Sequence, residues 1–169
     1  MPSRISRSTF GLWMLFGAMF LLPALSHAEN CPMLNAATAG GLLGGDVTME
    51  VTRPAISDIT CTFALKTGPV HAHLEIVMHT MTTIGDEFPQ ILADCGPSST
   101  SLRAIGNEAV GCSKNSGTGE VTEEIVSRVR ERSFVLRWTM PKAADDAAAE
   151  DDMRDKFRNI GEMVAGSLF

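Results

Sequence analysis

The segment VTEEIVSRVRERSFVLRWTM, Val121 to Met140, decides the fold. Folding it back at Glu131 and Arg132 sets Val129 opposite Phe134, Ser127 opposite Leu136 and Ile125 opposite Trp138. One face of the resulting hairpin is apolar, and Arg128 and Arg130 project from the other. Two- and four-residue loops centred there share this register, so the reading does not depend on the turn type. A hairpin with one apolar face belongs to an antiparallel sheet covered on that side.

A second segment, ITCTFALKTGPVHAHLEIVM from Ile59 to Met78, repeats the logic. A turn at Thr67 and Gly68 pairs Leu65 with Val70, Phe63 with Ala72, Cys61 with Leu74 and Ile59 with Ile76. A slip of one residue would turn one strand's core set toward water. Val47, Met49 and Val51 alternate with Thr48, Glu50 and Thr52, which predicts a preceding strand. Asn107 to Cys112 reads as one more short strand, followed by a polar turn from Ser113 to Gly119.

Helices frame these strands. Asn35 is a suitable N-cap for a helix over Ala36–Leu43 that stops at Gly44 and Gly45. Asp86 is read as the cap of a helix over Glu87–Cys95, with Pro89 tolerated in its first turn. Met153, Phe157, Ile160, Val164 and Leu168 recur at helical spacing in the last segment, after an Ala- and acid-rich connector from Pro141 to Asp152. Asp151 and Asp152 are read as the start of that helix, where acidic groups suit the dipole. The expected fold is α+β, in the order α-β-β-β-α-β-β-β-α. It has one antiparallel sheet of about five or six strands, helices packed on one face, and two disulfides. The two α-β-β-β halves hint at an internal duplication.

The first 28 residues read as an export signal. Arg4 and Arg7 precede an apolar run from Thr9 to Leu25, and Ser26 and Ala28 flank His27 at a small-residue cleavage site. An uncleaved anchor is the competing reading, because the run approaches the shortest spanning length. Pro23 and the Ser-His-Ala site favour cleavage and a single domain over 29–169. Lipidation at Cys31 is disfavoured, since Ala28 and Asn30 occupy the places where a lipobox wants Leu and a small residue. Arg4 and Arg7 leave with the signal, so 12 basic residues face 20 acidic ones in the exported domain. That acidity disfavours nucleic acid and anionic membrane surfaces as partners. No second run of spanning length follows, so no stable membrane insertion is expected after cleavage. The destination is the periplasm or the medium.

Cys31, Cys61, Cys95 and Cys112 all lie in the exported part, and an even count in an oxidising compartment predicts two disulfides. Three connectivities are open. Cys31–Cys61 with Cys95–Cys112 is preferred because each pair closes a local loop, worth about 3–4 kcal/mol by loop entropy. No Cys-x-x-Cys occurs to suggest redox or zinc-ribbon chemistry.

A resemblance follows from three motifs. Cys31 opens a helix ending in Leu42-Leu43-Gly44-Gly45, Cys61-Thr62-Phe63 lies on a strand, and Ile105-Gly106-Asn107-Glu108-Ala109-Val110 leads into another. This pattern resembles the small exported α+β domains of actinobacterial lipoproteins and, more distantly, the extracellular sensor domains of bacterial receptor kinases. The chain departs from that group in lacking its usual lipobox. The resemblance implies the fold and a first disulfide, Cys31–Cys61. It carries no catalytic residues.

Two clusters suggest chemistry. His71, His73, Glu75 and His79 fall at odd positions of one expected strand and face the same way. His-x-His on a strand lets two imidazoles reach one Zn²⁺ or Cu²⁺, with a carboxylate or third His completing the site. The plain alternative is a solvated sheet face. Arg128, Arg130, Arg132 and Arg137 form a basic patch able to take a carboxylate- or phosphate-bearing ligand, or to be neutralised by Glu123, Glu124 and Glu131. No Gly-x-Ser-x-Gly, His-Glu-x-x-His or phosphate-cradling glycine loop is present. The leading expectation is a non-catalytic exported binding or sensor-like domain that presents its outer sheet face, or a groove beside the helices, to a small ligand or an envelope protein. A periplasmic metal-binding protein is the alternative, and a hydrolase the weaker one.

Overall fold

The computed structural model describes residues 30–68, 72–97, 99–115, 119–142 and 147–169, with the backbone alone at 147–150. The signal segment and His71 therefore lie outside the described residues, as do parts of the polar turn and of the acidic connector. The elements run α1 (Ala36–Leu43), β1 (Val47–Thr52), β2 (Asp58–Leu65), β3 (His73–Thr80), α2 (Ile84–Ala93), β4 (Thr100–Leu102), β5 (Glu108–Asn115), β6 (Glu120–Val129), β7 (Arg132–Pro141) and α3 (Ala147–Ser167). The α+β character and both disulfides, Cys31–Cys61 and Cys95–Cys112, are present. The sheet has seven antiparallel strands in the order β1-β2-β3-β7-β6-β5-β4. The additional strand is β4, in the stretch read as a loop; it pairs with β5 and lays Leu102 on the core.

Two meanders, β1–β2–β3 and β4–β5–β6–β7, join where β3 pairs with β7. After β3 the chain must cross the sheet to reach the far edge at β4, and α2 is that crossing. This corrects the expectation of helices on one face. α1 and α3 cover the inner face, packing on Phe63, Leu74, Ile76, Phe134, Leu136 and Trp138. α2 lies on the outer face, where Phe88 and the Cys95–Cys112 disulfide pack on Val126 and Val135. The sequence carries the cause: Ile125-Val126 and Phe134-Val135-Leu136 are consecutive apolar residues, as in strands buried on both sides. Helices α1 and α2 on opposite faces also leave the two halves unlike each other, although the strand order apart from β4 is symmetric.

Both hairpins form with the expected faces and a different register. Cys61 opposes Ile76 and Phe63 opposes Leu74; Ile125 opposes Leu136 and Ser127 opposes Phe134. Each is displaced by two residues from the sequence reading. A period-two pattern is unchanged by a slip of two, so alternation decides the face and leaves the register to the turn. Around Arg130 and Glu131 the loop has two residues, and Arg130 has φ 56°, the positive value that tight hairpin turns demand.

Local chemistry explains the remaining elements. Asn35 caps α1 by accepting from the Thr38 N–H at 2.9 Å. α2 begins three residues earlier than expected, with Thr83 at its N-cap and Pro89 well inside it. α3 begins at Ala147, which moves Asp151 and Asp152 from its start into its second turn. Its stripe is as read, with Phe157, Ile160, Val164 and Leu168 buried and Met153 packed beside them. Gly161 brings α3 close to the sheet, since a Cβ there would sit 3.0 Å from Ile125 Cδ1.

The Ile105–Val110 motif docks the β4–β5 connection onto the end of β6. The Ser127 hydroxyl donates to the Ile105 carbonyl at 3.0 Å, and the Asn107 N–H donates to the Arg128 carbonyl at 2.7 Å. Gly106 has φ +66°, and a Cβ there would lie 2.5 Å from the Arg128 carbonyl oxygen. Only glycine fits this close backbone approach.

Candidate functional site

The outer face divides into three bands. An apolar middle, under α2, is made by Val110, Val126 and Val135. On one side of it lies an ionic row across neighbouring strands. The Arg137 Nε donates to Glu124 at 2.6 Å and its Nη1 to Glu75 at 2.8 Å, while the Lys114 ammonium stands 2.5 Å from the other Glu124 oxygen. Glu124 is only 4% exposed. Burial pushes its carboxyl up, but the bonds and charges of Lys114 and Arg137 outweigh that and hold it below the usual range. Burial likewise works against the Arg137 charge, and Glu75 and Glu124 more than offset it.

On the other side His79 sits between two carboxylates. Its Nδ1 is 2.5 Å from Asp58 and its Nε2 2.9 Å from Glu87 on α2. The hydrogen bonds to Asp58 and then Glu87 raise the imidazole pKa, and the Asp58 carboxyl is correspondingly lowered. Glu87 is lowered to about 2, first by His79 and then by Thr82 and the Thr83 N–H. When protonated, the imidazole is a clamp fastening the start of α2 to the sheet.

Of the histidine cluster read from the sequence, His71 lies outside the described residues, and Glu75 and His79 are engaged separately. Glu75 answers Arg137, His79 answers Asp58 and Glu87, and the pairing of β3 with β7 sets His73 opposite Thr139. Residues four apart on one strand are separated by roughly 13 Å, beyond the reach of a single ion. Among the described residues, Cys95, Cys112 and Glu124 come together, but the two sulfurs are bonded to each other and offer no thiolate.

The arginines of the sequence patch also occupy separate settings. Arg137 is in the ionic row. Arg128 lies over the Phe88 ring, 5.7 Å from its centroid, with a long 3.8 Å approach to Glu108. Arg130 is in the β6–β7 turn, 5.8 Å from the Phe169 ring. These three side chains have different partners.

The sequence reading allowed for a groove beside the helices but named none of its residues, and such a groove lies on the inner face. α3 covers β6 and β7, and beyond it the edge strands β4 and β5 leave a concave space of about 400 Å³. Leu102, Gly111, Ile125 and Phe157 line its base, while Arg154 and Arg158 line its helical wall. The Arg154 guanidinium reaches toward Glu123 at 3.7 Å; Arg158 donates to the Arg103 carbonyl at 3.1 Å and approaches Glu162 at 3.5 Å. Arg154 and Arg158 stand one turn apart on a helix whose apolar stripe was plain, so their spacing was a usable signal. Their apposition to β4 was not, because β4 was read as a loop.

No protein-family model matches the chain, and no curated protein matches it. Among the described residues, no helix is long and apolar enough to cross a membrane.

Proposed function

We propose that this chain is an exported, non-catalytic binding domain whose ligand seats in the groove between α3 and the β4–β5 edge. The observation that carries the reading is the joining of an apolar base (Leu102, Ile125, Phe157) to a wall bearing Arg154 and Arg158, in a volume of about 400 Å³. That size is typical of small-molecule sites, and Thr100, Ser113, Glu123, Glu124 and Asp155 join the two arginines around the apolar base. The ion pairs of Arg154 with Glu123 and of Arg158 with Glu162 are long, at 3.7 and 3.5 Å, which leaves both guanidinium groups able to take the carboxylate of a compact molecule with an apolar body. The outer face supports binding less well: α2 occupies its centre, and Arg137 and His79 are held by carboxylates at 2.5–2.9 Å, closer than the 3.7 and 3.5 Å pairs of Arg154 with Glu123 and of Arg158 with Glu162. Export is supported by two disulfides, which persist in oxidising compartments, and by the amino-terminal signal pattern.

The experiment is amide shift mapping by NMR with phenylacetate and decanoate as probes. Saturable shifts are expected at Leu102, Gly111 and Ile125, weakened about tenfold or more by Arg154→Ala with Arg158→Ala, and unaffected by Arg128→Ala. Saturable shifts confined to the outer face, or none with either probe, would overturn the assignment of the groove.

A further inference from the structure

β1 is an outer strand of the sheet, and all six of its residues pair with β2 without interruption. Proteins blunt such edges with short strands, proline, lysine or bulges. β4, the opposite edge, has three residues, whereas β1 is twice as long, carries neither proline nor lysine, and has Glu50 as its one charge. Just beyond it, in the turn to β2, Ile56 is fully exposed, the most exposed of the large hydrophobic residues described. At the other end of β1 is a hollow of about 490 Å³ between α1 and the strand, lined by Ala37, Gly40, Gly45, Val47 and Lys66 among others. An edge left open among the described residues, an apolar knob at one end and a hollow at the other make the surface complementary to itself.

We infer that two copies of this chain pair antiparallel through β1, each seating its Ile56 turn against the α1–β1 hollow of the other. A twofold axis normal to the sheet keeps each face on its own side, so residues sharing a face must oppose one another. Val47, Met49 and Val51 share the inner face with Phe63 and Cys61. Centring the axis on Met49 opposes Val47 to the second copy's Val51 and Thr48 to its Glu50, with no like charges facing. Centring on Glu50 opposes two carboxylates, and centring on Thr48 opposes Asp46 to Glu50. The Met49 register is therefore favoured over its neighbours. In that register Arg53 meets the second copy's Gly45, and the Pro54–Ser57 turn continues past the start of the partner strand toward the hollow.

Sedimentation equilibrium of the disulfide-intact chain tests this. A dimer is expected, with Ile56→Ser weakening it about tenfold or more through lost burial. Ile56 is outside the core, so that variant folds as the parent does, and circular dichroism checks it. Met49→Lys places two ammonium groups at the axis and yields monomer. Met49→Cys oxidises to a covalent dimer, as residues across a non-hydrogen-bonded or hydrogen-bonded antiparallel pair are close enough; Glu50→Cys does not. A monomer at every concentration, a dimer indifferent to both Ile56→Ser and Met49→Lys, or cross-linking through Glu50→Cys instead overturns the inference.

Discussion

Replacing Arg137 by Met tests the physical account of the outer face most directly. The substitution keeps an extended chain and deletes the charge that answers both Glu124 and Glu75. Removing one partner of a buried ion pair costs about 3–5 kcal/mol, because the other charge is left in a poor solvent. Two observations reduce that figure. Lys114 remains 2.5 Å from Glu124, and the Arg137 side chain is itself 35% exposed, so solvent screens part of the interaction. The expected loss is about 2 kcal/mol at pH 7, or roughly 5–10 °C in Tm for a domain of this size. Urea unfolding with an unchanged m-value is the assay. Adding Glu124→Gln to Arg137→Met removes the orphaned charge and should recover about half the loss, which a double-mutant cycle isolates. The pH dependence gives an independent check. In the parent, Glu124 is held below its ordinary 4.5, so its contribution is present above that value and is lost as the pH falls through the folded pKa. Without Arg137 the burial effect is opposed by Lys114 alone and the carboxyl moves up. The penalty is then full at neutral pH and shrinks as acid neutralises the group. A variant within about 0.5 kcal/mol of the parent at pH 7 would refute the reasoning, that being the usual range for an inconsequential surface change. So would a penalty that Glu124→Gln leaves intact.

Two other expectations concern α2. The His79 pKa is raised above 6.5 in the folded state, so the stability from its clamp is full below that value and is lost as the pH rises through the folded pKa. Asp58 and Glu87 are lowered, so their share is present above the ordinary carboxylate range and lost on acidification, for Glu87 near pH 2. The clamp is strongest in mildly acidic solution, and His79→Ala should remove the decline on the alkaline side; a parent-like pH profile in the variant would contradict this. Replacing both Cys95 and Cys112 by Ser opens a loop of separation 17 and should cost about 3 kcal/mol by loop entropy. Hydrogen exchange should then accelerate in α2 before the central strands, and uniform acceleration across the sheet would argue against α2 being held by this link.

Much of the fold was readable from local patterns. Asn35 and Gly44 bounded α1 because capping is decided within a few residues. The stripe from Met153 to Leu168 identified α3 because a helix carries its own period. The faces of both hairpins followed from alternation, and cysteine spacing matched the pairing of Cys31 with Cys61 and of Cys95 with Cys112. The candidate site was far less readable. Glu75, Arg137 and Glu124 are brought together by β3 pairing with β7, across 62 residues of sequence. The groove depends on β4, three residues too short and too polar to announce themselves.

What the chain determined by itself was therefore whatever a single element decides within its own turn or period: the caps, the helical stripe, and the side of each strand that meets the core. The tertiary structure decided which strands became neighbours, the register of each hairpin, and the passage of α2 over the outer face. The reason is physical. Alternation is indifferent to a slip of two residues and says nothing about the order of strands, so those choices fall to contacts between distant segments. Val126 and Val135 show the result: as outer-face residues they need a cover, and crossing from β3 to β4 supplies it.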